Sequence, residues 1–233
     1  MTLRCLILLF FVILCPLSAS AGEIDGLKTA SDVNQFLKKV IPKYAEDLLL
    51  DTKEAPKTEF GKNTFHKVDL DGDGASDLIV ESKYLFAVTE KHNLFPIDKG
   101  AFMLRKYTLL RIEKNRTDTL LHIRPIKEED IPAPESDKEL TLVFKFGGFI
   151  EFNPKPDHMT IKSIAFSTSG CFGSCPIFGI NILADRRATY RADKYNPEEG
   201  EFSGIIDTVG FDRLTDIINY MSIASLKTEY AVP

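Results

Sequence analysis

The chain has 233 residues, of which 44% are hydrophobic and 27% charged, the balance of a folded protein rather than a disordered one. Its 34 Asp and Glu outnumber 29 Lys and Arg, for a formal charge of −5. With no Lys/Arg-rich run to offset that, nonspecific binding to nucleic acid or to anionic membranes is excluded, because both need a basic surface.

At the N-terminus, Arg4 precedes an apolar run from Leu6 to Leu17, and Ser18-Ala19-Ser20-Ala21 follows. A basic, then apolar, then small-residue order marks residues 1–21 as a secretory signal peptide, cleaved after Ala21. The run falls short of the roughly 20 residues that span a bilayer, so no stable membrane insertion is expected. Leu14 stands before Cys15 where a lipid-anchored precursor needs a small residue. The expected product is exported, to the periplasm or beyond. Removal of the signal takes Cys5 and Cys15 and leaves Cys171 and Cys175. A single pair in an oxidising compartment points to one disulfide.

Residues 22–126 are expected to form an α+β part. Val33, Phe36, Leu37, Val40, Ile41, Tyr44 and Leu48 recur at spacings of three and four, one apolar helical face, with Ser31 or Asp32 placed to cap it. Pro42 inside the pattern kinks or divides the helix, because it removes a backbone donor and clashes with the preceding turn. A small antiparallel sheet is expected next, from runs at Thr64–Leu70, Leu78–Glu81, Leu85–Thr89, Phe102–Glu113 and Thr119–Ile126. Residues 127–139, rich in charge and carrying two prolines, read as a linker. The part from 140 to 233 is expected to be β-rich, with strands at Leu140–Phe146, Phe149–Asn153, Thr160–Ser167, Ile177–Leu183 and Ala188–Ala192. Asp185-Arg186-Arg187 forms the last turn between them, and a C-terminal helix runs through Phe211, Leu214, Ile217, Ile218 and Met221. The fold class is α+β.

The strongest chemical pattern is Asp69-Leu70-Asp71-Gly72-Asp73-Gly74-Ala75-Ser76-Asp77. Calcium takes six to eight oxygens, and alternate positions of a tight loop aim them at one point. Asp69, Asp71 and Asp73 fall at the first, third and fifth positions of such a loop, Ala75 offers its carbonyl at the seventh, and Asp77 stands at the ninth. Val80 replaces the Glu that closes a helix-loop-helix hand, and the apolar flanks indicate strand-loop-strand. The segment resembles the calcium loops of FG-GAP and VCBS-type repeats in extracellular β-proteins. Only one copy is present, so a propeller is not implied. The resemblance implies a structural calcium ion.

Gly170-Cys171-Phe172-Gly173-Ser174-Cys175-Pro176 lies between two expected strands. With Ile177–Ile182, Ala188-Thr189-Tyr190 and Gly200-Glu201-Phe202, it resembles a bacterial exported domain of unknown function marked by Gly-Cys-Phe-Gly-x-Cys-Pro, from about Met159 onward. That family's later helix and Leu-x-x-x-Tyr match Phe211–Leu214 and Leu226–Tyr230. Arg186-Arg187 stand where the family has an Asp-Gly turn, and the family continues past Pro233, so the resemblance implies a domain incomplete at its C-terminus. A missing strand would leave a sheet edge near Ile180 or Phe202 exposed, a route to self-association. The resemblance supplies no activity. The same Cys-x-x-x-Cys-Pro string also looks like the copper and redox loop of Sco-type proteins. Cys171 and Cys175 therefore support a structural disulfide, thiol redox or Cu(I) binding. As a structural bridge the pair is expected to be buried, with Phe172 packed inward. His66, His92, His122 and His158 form no ligand-spaced pair and receive no role.

No Gly-x-Ser-x-Gly, His-Glu-x-x-His or phosphate-binding glycine loop is present. The leading expectation is a noncatalytic exported binding or structural protein with a calcium-stabilised loop. The alternative is a periplasmic thiol-redox or copper-handling protein.

Overall fold

The computed structural model describes residues 22–52, 64–97, 107–116, 118–126 and 138–226. The expected signal peptide, residues 127–137 of the expected linker and the Tyr230 motif lie outside these. The chain divides into two compact units, Met1–Thr141 and Leu142–Pro233.

Unit 1 begins with a 3-10 turn, Ile24–Gly26, and helix α1, Ala30–Val40. The cap is Thr29, two residues before Ser31 and three before Asp32, the expected positions. Its hydroxyl accepts the Asp32 N–H, and the Asp32 carboxylate accepts the Thr29 N–H at 2.8 Å and the Lys28 N–H at 3.0 Å. This reciprocal box satisfies donors that a first turn leaves free. α1 stops before Pro42, and a short α2, Ala45–Leu48, follows, so the proline divides the helix.

Strands β1 (Thr64–Val68), β2 (Asp77–Glu81), β3 (Leu85–Val88) and β4 (Leu94–Pro96) form an antiparallel sheet in that order. The brief β4 lacks an alternating run of its own and is not evident in the sequence pattern. Leu78 and Val80 face the same side as their partners Val88 and Phe86. Val33, Phe36 and Leu37 of α1 join them in one buried cluster. Each such side chain contributes roughly 1.5–3 kcal/mol on burial, which fixes the helix to the sheet. Ile79 and Ala87 on the opposite face are buried as well, so the central strands are covered on both sides. Asn34 extends this core with a paired contact: its Nδ2 donates to the Leu50 carbonyl and its Oδ1 accepts the Leu50 N–H, both at 2.8 Å.

β5 (Tyr107–Asn115) and β6 (Asp118–Pro125) form a hairpin, and β7 (Leu140–Lys145) and β8 (Gly148–Glu151) form another. The sheet that carries them has the order β5-β6-β7-β8. The division between the units falls within β7.

In unit 2, β9 (Ser163–Ser167), β10 (Ile177–Leu183), β11 (Arg187–Lys194) and β12 (Gly200–Ile205) form a third antiparallel sheet, β9-β10-β11-β12. Ile180 lies on an inner strand, which corrects the edge position expected for it, while Phe202 lies on the edge strand β12. Arg186 holds φ at 70° in the β10–β11 turn, a conformation that suits glycine and that an L side chain adopts at a cost. Its guanidinium offsets this by donating to the Ile206 carbonyl at 3.1 Å and to Thr208 Oγ1 at 3.0 Å. Helix α3, Thr208–Tyr220, is capped by Asp207, whose carboxylate accepts the Gly210 N–H at 2.9 Å. Arg213 of α3 donates to the Phe146 carbonyl in the β7–β8 turn, and Tyr220 Oη accepts the Asn153 N–H. With twelve strands against three helices among the described residues, the architecture is richer in β-structure than the expected α+β balance. No described helix is long and apolar enough to cross a membrane.

Candidate functional site

The acidic loop is the connection between β1 and β2. The antiparallel register sets Val68 opposite Asp77, so Asp69 leaves one strand as Asp77 enters the other. Gly72 and Gly74, with φ of 80° and 87°, make the reversals that bring the intervening carboxylates back over the hairpin end. One oxygen each from Asp69, Asp71 and Asp77 lies within 4.8 Å of the others.

Backbone donors hold these carboxylates in place. Asp69 accepts the Gly72 N–H at 2.7 Å and the Gly74 N–H at 3.1 Å, and Asp71 accepts the Asp73 N–H at 3.2 Å. Asp77 is buried, with its two oxygens on the Leu70 N–H at 2.8 Å and the Glu90 N–H at 3.0 Å. Burial pushes the Asp77 carboxyl above its ordinary value, opposed by those two donors and reinforced by the charges of Asp71 and Asp73. Each carboxylate oxygen keeps lone-pair capacity beyond a single N–H bond, so the donor set fits a hard cation.

The structure does not bring every expected ligand to that point. Asp73 lies outside the converging trio. Its Oδ1 accepts the Ala75 N–H at 2.9 Å, and its Oδ2 pairs with Lys91 Nζ at 3.0 Å. Those two contacts, the Ala75 N–H first, hold Asp73 below the ordinary carboxylate range. Ala75 occupies the stretch of loop between Asp73 and Asp77. Lys91 is the residue that the loop pattern misses. It arrives from the turn between β3 and β4, and nothing in the spacing of the aspartates signals it.

Cys171 and Cys175 form a disulfide, with their Cα atoms 5.7 Å apart. The expected burial of this loop is not found. Residues 169–174 are exposed, Cys175 is half-buried, and Phe172 is fully exposed at the tip rather than packed inward. The physical reason lies at the loop's base. Thr168 Oγ1 donates to the Pro176 carbonyl at 2.8 Å and accepts the Phe178 N–H at 3.0 Å, so the hairpin closes below the tip without help from Phe172. The Gly173 N–H donates to Cys171 Sγ at 3.3 Å.

A further polar cluster was not evident from histidine spacing. His122 is buried on β6, with Nε2 3.1 Å from Glu113 Oε2 and Nδ1 2.8 Å from Glu139 Oε1. Arg111, directly opposite it on β5, reaches both His122 Nδ1 and Glu139. The β5–β6 register sets Arg111 opposite His122, and Glu139 joins them from just before β7.

The fold and these sites describe a β-rich chain of two units, the first bearing an acidic hairpin loop and the second a disulfide-closed one. Residues 162–233 match the model of a family described as a domain of unknown function, DUF6438. That span includes both cysteines and carries no assigned activity. Neither the curated proteins nor the solved structures gave a match.

Proposed function

We propose that this is an exported protein in which a calcium ion stabilises the β1–β2 loop of unit 1, serving a noncatalytic binding or structural role. The observation that carries this reading is the convergence of Asp69, Asp71 and Asp77 at the end of a hairpin. Carboxylate oxygens at that spacing suit calcium, and Asp73 and the Ala75 carbonyl stand nearby in sequence to complete its oxygen shell. An ion that binds only the folded chain raises its melting temperature, which thermal unfolding in chelator and in calcium measures. Export rests on the Arg4–Ala21 segment and on the oxidised cysteine pair. Self-association would use β12, which pairs with β11 alone among the described strands and presents Phe202. The molecular mass in solution checks it.

A second reading assigns the protein to thiol redox or copper handling through Cys171 and Cys175. The exposure of Cys171 favours it, because a structural bridge gains nothing from solvent access and an exchanging one requires it.

A further inference from the structure

We infer that the Cys171–Cys175 bridge is a thiol–disulfide exchange site in which Cys171 is the sulfur that meets the substrate. This rests on the second reading above, which takes the place of a noncatalytic role in unit 2 and leaves the calcium proposal for unit 1 untouched, and it adds the order of attack and the class of partner. Three observations carry it. First, the two cysteines differ in exposure, Cys171 being exposed and Cys175 half-buried. Second, the Gly173 N–H points at Cys171 Sγ from 3.3 Å, a donor that stabilises negative charge on that sulfur once the bridge opens. Third, the hairpin does not depend on the bridge. Thr168 closes its base through the Pro176 carbonyl, the Phe178 N–H and a backbone bond from its own N–H to the Phe178 carbonyl at 2.9 Å. Opening the disulfide therefore leaves β9 and β10 in register.

The chemistry balances with a dithiol–disulfide partner. In the reduced protein, the Cys171 thiolate attacks one sulfur of a substrate disulfide. A bond from Cys171 Sγ to that sulfur forms, the substrate S–S bond breaks, and the departing thiolate takes a proton from solvent. The Cys175 thiolate then attacks Cys171 Sγ, which restores the intramolecular bridge and releases the second substrate thiol. Two electrons pass to the substrate, and the reverse sequence oxidises a substrate dithiol. Both directions place the mixed disulfide on Cys171. Phe172, fully exposed beside it, favours a partner with an apolar side chain next to its own sulfur.

Glutathione is the probe for the assignment. The full chain is equilibrated in buffers of set reduced-to-oxidised glutathione ratio, then alkylated and weighed, in wild type and in Cys171→Ser and Cys175→Ser. The bridge is expected to equilibrate with the buffer. Cys171 in Cys175→Ser is expected to form the glutathione adduct roughly tenfold faster than Cys175 in Cys171→Ser. Both variants are expected to melt within about 4 °C of wild type. A bridge that exchanges but traps glutathione equally or preferentially on Cys175 overturns the assignment and leaves the redox reading standing. A bridge that does not exchange under native conditions, or variants that lose their cooperative melt, overturns both.

Discussion

Lys91 Nζ and Asp73 Oδ2 meet at 3.0 Å, an ion pair that brings a cation from the β3–β4 turn onto the acidic loop between β1 and β2. The same ammonium lies 3.9 Å from Asp71 Oδ2. Its pKa is raised, first by the hydrogen bond to Asp73 and then by the charges of Asp73 and Asp71. The loop thus carries its own counter-charge, and the calcium ion proposed for it would compete with Lys91 for Asp71 and Asp73.

Lys91→Met is therefore expected to tighten calcium binding. The pair is solvent-exposed, so the gain is modest, with the half-saturating calcium concentration falling about two- to fivefold. Calorimetric titration of wild type and variant reads the difference. An unchanged affinity would remove Lys91 from the site.

Asp77 is expected to behave differently from the other loop aspartates. It is buried and bridges the Leu70 and Glu90 N–H groups, so Asp77→Ala removes a structural tie whether or not an ion is bound. The expected loss is about 2–4 kcal/mol in chelator, and in calcium the ion's own contribution is lost on top of it. Asp71→Ala is expected to lose mainly the calcium-dependent part of the stability. Denaturant unfolding of both variants with and without calcium separates the two roles.

Asn34→Ala removes both hydrogen bonds to Leu50 and leaves that residue's backbone groups buried without partners. A cost of about 2–3 kcal/mol is expected, seen as a lower denaturant midpoint with little change in slope. Gln at this position, one methylene longer, is expected to recover little of it.

The Asp32 capping box makes stability depend on pH. The N–H groups of Lys28 and Thr29, followed by the Thr29 hydroxyl, hold the Asp32 carboxyl below its ordinary value near 3.8. A depressed folded pKa gives stabilisation that is present above the unfolded value and lost as pH falls through the folded one. Amide exchange at Lys28 and Thr29 is therefore expected to lose protection as the medium is acidified below pH 3.8, after correction for intrinsic rates. Asp32→Asn is expected to flatten that dependence.

Much of this architecture was legible because it rests on local pattern. The spacing of Val33, Phe36 and Leu37 gave α1, and Pro42 gave its end. The β10 boundaries, Ile177 and Leu183, follow from a run with turn residues on both sides. What escaped depended on distant partners. β4 is three residues long and exists because β3 offers it an edge. Residue type alone does not single out Thr29 as the cap, because the reciprocal bond to Asp32 selects it. In the acidic loop, the spacing brought Asp69, Asp71 and Asp77 together but could not show Lys91, which comes from another hairpin. A structural bridge leads one to expect Phe172 packed inward to hold the loop down, yet the hydrogen bonds of Thr168 complete the loop's base and leave the tip in solvent.

The central claim, a calcium ion on the β1–β2 loop, is tested most directly by the melting temperature of the full chain in chelator and in calcium. At a hundredfold excess over Kd, a bound ion contributes about 2.7 kcal/mol. For a chain of this size that corresponds to a rise of roughly 5–10 °C, lost in Asp71→Ala. Identical melting curves in chelator and in about 5–10 mM calcium, above the affinity range of extracellular sites, would contradict the claim and leave the acidic loop as a turn held by its own backbone and by Lys91.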